Sequence, residues 1–181
     1  MTVFTEILEF EVDSKERELF KSGKLWQEWH RRYPEIFDDD DLRLAQNQAH
    51  LGYHYCEWQA AIFLYEKTGY RSLVEKYHFR RHKNKQNILR KLVSPELLLF
   101  IADKRYPEFG RVQVPDLLVY KPNYSDWFFC EVKGPNDRVR KVQERYFEQL
   151  ARVSKKPIWL VRLKLPKRGE GLELPGTKFV N

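Results

Sequence analysis

Val114-Pro115-Asp116-Leu117-Leu118-Val119-Tyr120, the turn-rich Lys121-Pro122-Asn123-Tyr124-Ser125-Asp126, and Trp127-Phe128-Phe129-Cys130-Glu131-Val132-Lys133 form the stretch from which the fold is read. Two apolar runs joined by a loop of Pro, Asn, Ser and Asp predict a β-hairpin with a longer loop. A hairpin brings its far ends together, so Asp116 at the start of the first strand lies beside Glu131 and Lys133 at the end of the second. Side chains alternate along a strand, which sets Glu131 and Lys133 on one face. Both runs are almost continuously apolar, the pattern of strands covered on two faces. Two carboxylates and an ammonium at the ends of such strands need a partner or a purpose, because an uncompensated buried charge is costly.

The trio has a chemical logic. A hard divalent cation such as Mg²⁺ takes oxygen ligands and usually only one or two protein carboxylates, leaving its other positions to water and phosphate. Asp116 and Glu131 suit that role. A cation so held activates water and offsets charge developing on phosphoryl oxygens, while a nearby lysine orients the nucleophile and stabilises the transition state. Lys133 is the lysine in question. An E-x-K triplet on a strand is more often a plain solvated pattern, and only the apolar context sets this one apart.

The run Val114 to Val119, then Glu131-Val132-Lys133-Gly134-Pro135-Asn136-Asp137-Arg138, then Gln143, resembles in order and spacing the PD-(D/E)xK nuclease superfamily. Within it the match is to the VRR-Nuc group, which includes the nuclease domain of the Fanconi-associated nuclease. The resemblance spans residues 111–165. It implies an α/β, restriction-endonuclease-like core, a mixed sheet flanked by helices in αβββαβ order. It further implies that Asp116, Glu131 and Val132 hold metal, that Lys133 is catalytic and that Gln143 lines the site. Glu57 stands where the family has an upstream acid that completes the metal site or binds a second ion; it suits equally well an ordinary first-turn acid on a helix dipole. The implied cofactor is Mg²⁺ or Mn²⁺. The implied substrate is DNA, branched into flaps or four-way junctions, cut to leave a 5′-phosphate in replication, repair or recombination, with a homodimer among the family's habits. Two other readings stay open: a sequence-specific restriction-type endonuclease, and a catalytically silent DNA-binding module.

Composition agrees. The 181 residues suffice for one domain with a proper core, expected as a nuclease domain over residues 51–181 behind a helical extension over 1–50. Thirty-three Lys and Arg against 26 Asp and Glu leave a net charge of +7, the imbalance expected of a partner of phosphate backbones. An aromatic content of 15% supplies candidates for base stacking, although most rings belong in a core. Only Cys56 and Cys130 occur, which excludes a disulfide scaffold and a four-cysteine zinc site. Cys130 is expected to face away from the metal as a small buried residue. The N-terminal residues lack the marks of a signal peptide, and no apolar segment approaches a membrane span. The expectation is a protein of the cytoplasm, nucleoid or nucleus, neither secreted nor in a membrane.

Along the chain, Asp13 or Ser14 caps a short helix that Gly23 ends, and Pro95 opens another. Residues 57–68 place Trp58, Ala61, Ile62 and Tyr65 on one helical face before Gly69. After the hairpin, Asn136 or Asp137 caps a helix to about Val153, and Pro157 to Leu163 returns as a strand. The first strand of the sheet is poorly marked, at Gly110 to Val114 or earlier, and a polar tail begins near Lys167.

Seven basic residues between Lys76 and Lys91, interleaved with Tyr77 and Phe79, can neutralise backbone phosphates without reading bases. Arg80, Arg81, Lys83 and Lys85 are the candidate DNA contacts, against the alternative of a solvated helix face. The pairs His50/His54 and His78/His82 have helical spacing for zinc, but no third ligand lies nearby in sequence. The Asp38 to Asp41 run is expected to cap the next helix rather than to bind metal.

Overall fold

The computed structural model describes residues 3–75, 77–78, 81–102 and 114–166. The hairpin forms where its punctuation predicts, with β-strands at Leu117–Tyr120 and Trp127–Lys133. In chain order the elements are β1 (Glu6–Glu11), α1 (Ser14–Lys21), α2 (Lys24–Arg32), α3 (Asp39–Gln48), α4 (Tyr55–Thr68), β2 (Arg71–Val74), α5 (Lys83–Leu92), α6 (Pro95–Ala102), β3 and β4 (the hairpin), α7 (Lys141–Ser154) and β5 (Ile158–Lys164).

Among the described residues, five strands make one mixed sheet in the order β1-β5-β4-β3-β2. The β2–β3 and β3–β4 pairs are antiparallel, while β5 runs parallel to both β4 and β1. Taken as α4, β2, β3, β4, α7 and β5, the core has the αβββαβ order, with α5 and α6 inserted after β2. It is an α/β fold of the restriction-endonuclease-like kind.

Strand alternation divides the core into two layers. Val119, Phe128, Cys130, Val132 and Val161 face the first four helices, where Phe37 stacks on Trp58 at 3.8 Å between ring centroids. Leu118, Phe129, Ile158 and Leu160 face α5 to α7 through Leu89, Phe147 and Leu150. All four residues of β3 are buried, which accounts for their unbroken apolar character.

Local signals explain several helix ends. Asp13 accepts from the Lys15 amide at 2.8 Å and starts α1. Asp38 and Asp41 form a reciprocal capping box at α3, the role expected of the acidic run. Gly69, with φ of 72°, closes α4 in a left-handed conformation that favours glycine.

One feature that the sequence leaves open is placed by the structure, and two differ from expectation. The first strand of the core is β2, directly after Gly69; Gly110 to Gln113 lie outside the described residues, as does the tail from residue 167. Residues 1–50 hold three helices but also β1, which joins the sheet beside β5. Helix α7 starts at Lys141 instead of near Asp137, because Gly134 to Asp137 form a turn in which the Asp137 amide donates to Gly134 O at 3.0 Å. Among the described residues, no helix is long and apolar enough to cross a membrane.

Candidate active site

Sheet register builds the site. The β3–β4 pairing ends at Leu117 opposite Cys130, so one further step sets Asp116 opposite Glu131. The β2–β3 pairing ends at Val74 opposite Leu117, and one further step sets Glu75 beside Asp116, where the Glu75 amide donates to Asp116 O at 2.8 Å. Three carboxylates therefore stand in a row across the ends of three neighbouring strands. The sequence points to Asp116 and Glu131, and the register adds Glu75.

On the α7 side of the row, Lys133 Nζ donates to Glu131 Oε1 at 2.5 Å and Gln143 Nε2 donates to the same oxygen at 3.0 Å. Gln143 Oε1 in turn accepts from the Arg140 amide at 3.1 Å, which fixes the carboxamide at the start of α7. The Val132 amide donates to Asp116 Oδ2 at 2.8 Å, locking Asp116 across the hairpin. Val132 turns its side chain into the core, leaving only its main-chain carbonyl as a donor to a cation. Cys130 is fully buried in the opposite layer, as expected.

On the other side, α4 contributes Glu57 from its first turn and His54 from its N-cap. His54 Nδ1 lies 2.8 Å from Glu75 Oε2. Its partner is thus a carboxylate rather than the exposed His50, so the helical spacing of that histidine pair marks no shared site.

The electrostatics are those of crowded negative charge. Burial, and then the Asp116 charge, push the Glu131 carboxyl up to about 8 despite Lys133. Burial also raises Asp116, against the pull of the Val132 amide and the Lys133 charge. Glu57 is raised well above the carboxylate range by burial and by repulsion from Glu75 and Asp116. Burial works against the Lys133 ammonium, yet Glu131 beside it leaves the net shift upward. Among the described residues, Glu57, Glu75, Asp116 and Glu131 crowd around the single ammonium of Lys133. Asp116 and Glu131 offer neighbouring carboxylate oxygens of the kind a hard divalent cation takes, while Glu57 clusters with His54 and Glu75, near enough to Asp116 to feel its charge.

The basic segment divides. Arg81 and Lys83 are exposed, whereas Arg80 lies outside the described residues. Lys85, expected to meet phosphate, is instead fully buried. Its ammonium donates to Asp41 Oδ1 at 2.5 Å, to Val74 O, and to Glu75 O at 3.3 Å, tying the end of β2 to α3. A helix with basic residues all round conceals which one turns inward. The signal that identifies it is its complement, the buried acid Asp41, with which it forms an ion pair.

The family model described as the VRR-NUC domain matches residues 57–156. No curated protein matches the chain. A crystal structure described as paFAN1 bound to 2nt 5′flap DNA with gap is similar at 20% identity and a TM-score of 0.27, over 63% of this chain and 25% of that one. The chain spans about a quarter of that protein's length.

Proposed function

The chain belongs to the VRR-NUC domain family and is by class a nuclease, and from that premise we propose that it hydrolyses DNA phosphodiester bonds at the Asp116–Glu131–Lys133 centre with Mg²⁺ or Mn²⁺. The observation that carries the reading is the Lys133 ammonium held on Glu131 beside the carboxylate row, at 2.5 Å. Asp116, Glu131, the Val132 carbonyl and Glu57 would hold the cation. When bound, it supplies Lewis-acid charge and an acidified water.

The chain's own groups do the remainder. An ammonium has three donors and Glu131 takes one, so Lys133 has others to offer to a nucleophilic water or a phosphoryl oxygen. The Gln143 carboxamide, anchored by Arg140 and Glu131, keeps its second N–H for the same space. Orientation by a rigid strand and a capped helix supplies the positioning that in-line attack requires.

Branched DNA, as flaps or four-way junctions, is the proposed substrate, with 5′-phosphate products, action in replication, repair or recombination, a homodimer as the working form and a location wherever the DNA is. Family membership supports this part of the reading. Labelled linear, flap and four-way-junction duplexes incubated with Mg²⁺, Mn²⁺ or EDTA test it. Cleavage is expected with either cation, favouring branched DNA, and none in chelator. Equal cutting of linear duplex would remove the structure preference, and cutting in EDTA would remove the metal.

Arg81 and Lys83 remain as phosphate contacts upstream of the site. Their double alanine variant is expected to lower the slope of log affinity against log salt by about one per lost contact, with little sequence dependence. Cleavage at saturating DNA should hold. An unchanged slope between roughly 50 and 200 mM salt would place DNA elsewhere.

A further inference from the structure

His54 is buried at 7% exposure and occupies the N-cap of α4 with φ of 71°, a left-handed backbone that a histidine adopts only at some cost. Glu75, which faces it, is also left-handed, with φ of 33°. Two strained non-glycine residues, one from a helix start and one from a strand end, are thus held against each other.

The ring's other nitrogen explains its orientation. His54 Nε2 lies 2.7 Å from Gln48 Oε1, an acceptor, so Nε2 carries the hydrogen. In a neutral ring Nδ1 is then a lone pair, and it points at Glu75 Oε2 from 2.8 Å. A lone pair against a carboxylate is stable only with a proton or a metal ion between the two. Glu57, one turn along α4, adds a third donor, and donor atoms of His54, Glu57 and Glu75 all lie within 4.8 Å of one another. An imidazole whose remote N–H is tied to a fixed acceptor, facing two carboxylates, is the usual setting of a metal-bound histidine.

We propose that His54, Glu57 and Glu75 bind a divalent first-row transition cation, Mn²⁺ in the first instance, at a position distinct from the Asp116–Glu131 site. The inference rests on the proposed nuclease reading only in that Glu57, which has two carboxylate oxygens, would be a ligand common to both ions. A nitrogen donor changes the preference of such a site: imidazole suits transition ions, whereas Mg²⁺ favours oxygen throughout. The chain therefore carries one all-oxygen site that accepts Mg²⁺ and one mixed site that discriminates against it.

Mn²⁺ titration of the intact chain, followed by electron paramagnetic resonance, counts the ions, and electron spin echo modulation reports a directly bound ¹⁴N. The wild-type chain is expected to bind two Mn²⁺ with ¹⁴N modulation, and excess Mg²⁺ should displace only the ion without it. His54→Ala should bind one Mn²⁺ with no modulation, while Glu131→Gln should keep the modulated ion. Glu75→Gln preserves shape and should weaken the modulated ion by about 10- to 100-fold, at least the loss expected for an outer-shell partner. That variant decides the matter if His54→Ala fails to fold. Absence of ¹⁴N modulation in the wild type, or a modulated ion indifferent to both substitutions, overturns the proposal and identifies His54–Glu75 as an ion pair closed by a proton. One Mn²⁺ in the wild type, modulated and lost in His54→Ala, supports this site while refuting the cation at Asp116–Glu131.

Discussion

Glu131→Gln is expected to lower the rate of DNA cleavage by about 10²- to 10³-fold, the scale of losing one preorganised electrostatic group. The substitution keeps the acceptor oxygen that Lys133 and Gln143 use, and with it the local geometry. What it removes is the charge. The wild-type carboxyl is shifted in the folded state from 4.5 up to about 8. Between those values the folded protein binds more protons than the unfolded chain, so stability falls as pH rises. Glutamine has nothing to titrate there. In chelator, therefore, the variant should melt increasingly above the wild type as pH rises from about 5 to 8, an inactive protein gaining stability because its site no longer crowds charge. Thermal melts at several pH values, beside single-turnover cleavage, check both halves. Asp116→Ala and Lys133→Ala should lose activity on the same scale, and combining them should cost far less than the product of their separate losses, because the groups act as one unit. Near wild-type cleavage by any of the three would remove the assigned centre.

Lys85→Ala is expected to be the most destabilising single change in the basic segment. It strips the partner from Asp41 in a fully buried pair, a loss of about 3–5 kcal/mol. At about 2–4 °C per kcal/mol for a chain of this size, the melting temperature should fall by roughly 6–20 °C. Replacing both partners, as Lys85→Met with Asp41→Asn, should recover part of that, since it removes the orphaned charge while the asparagine oxygen can still accept from the Asp38 amide that caps α3. The salt dependence of DNA affinity should not change in the folded double variant. A variant that melted like wild type and lost a unit of salt slope would return Lys85 to the DNA surface.

The hairpin and its acids were legible because every signal there is local: apolar runs, a Pro-Asn-Ser-Asp loop, and alternation. Helix α7 was legible in kind but started four residues late, since the same polar residues that can cap a helix can also make a turn. Glu75 was illegible for a different reason. Strand β2 is four residues long, and its acid joins the site only through pairing with β3, a relation absent from any local window. Strand β1 alternates glutamates with Ile7, Leu8 and Phe10 in an irregular way that reads as polar, as suits an edge strand with one covered face. Lys85 shows the limit of charge counting: seven basic residues in one segment read alike until the fold buries one of them.

The parallel pairing of β1 with β5 joins residues such as Thr5 and Ile158, 153 positions apart. During translation at about 5–20 residues per second, β1 waits on the order of 10 s for its neighbour to emerge. An apolar strand left unpaired that long invites pairing with other nascent chains. Glu6, Glu9 and Glu11 give this one like charge along its length, which repels a second copy while it waits. When β5 arrives, Lys164 pairs with Glu9 and the Val12 amide donates to Lys164 O. Among the described strands, the first to be made is thus paired only when β5 arrives, and its glutamates are a solution to a problem of timing.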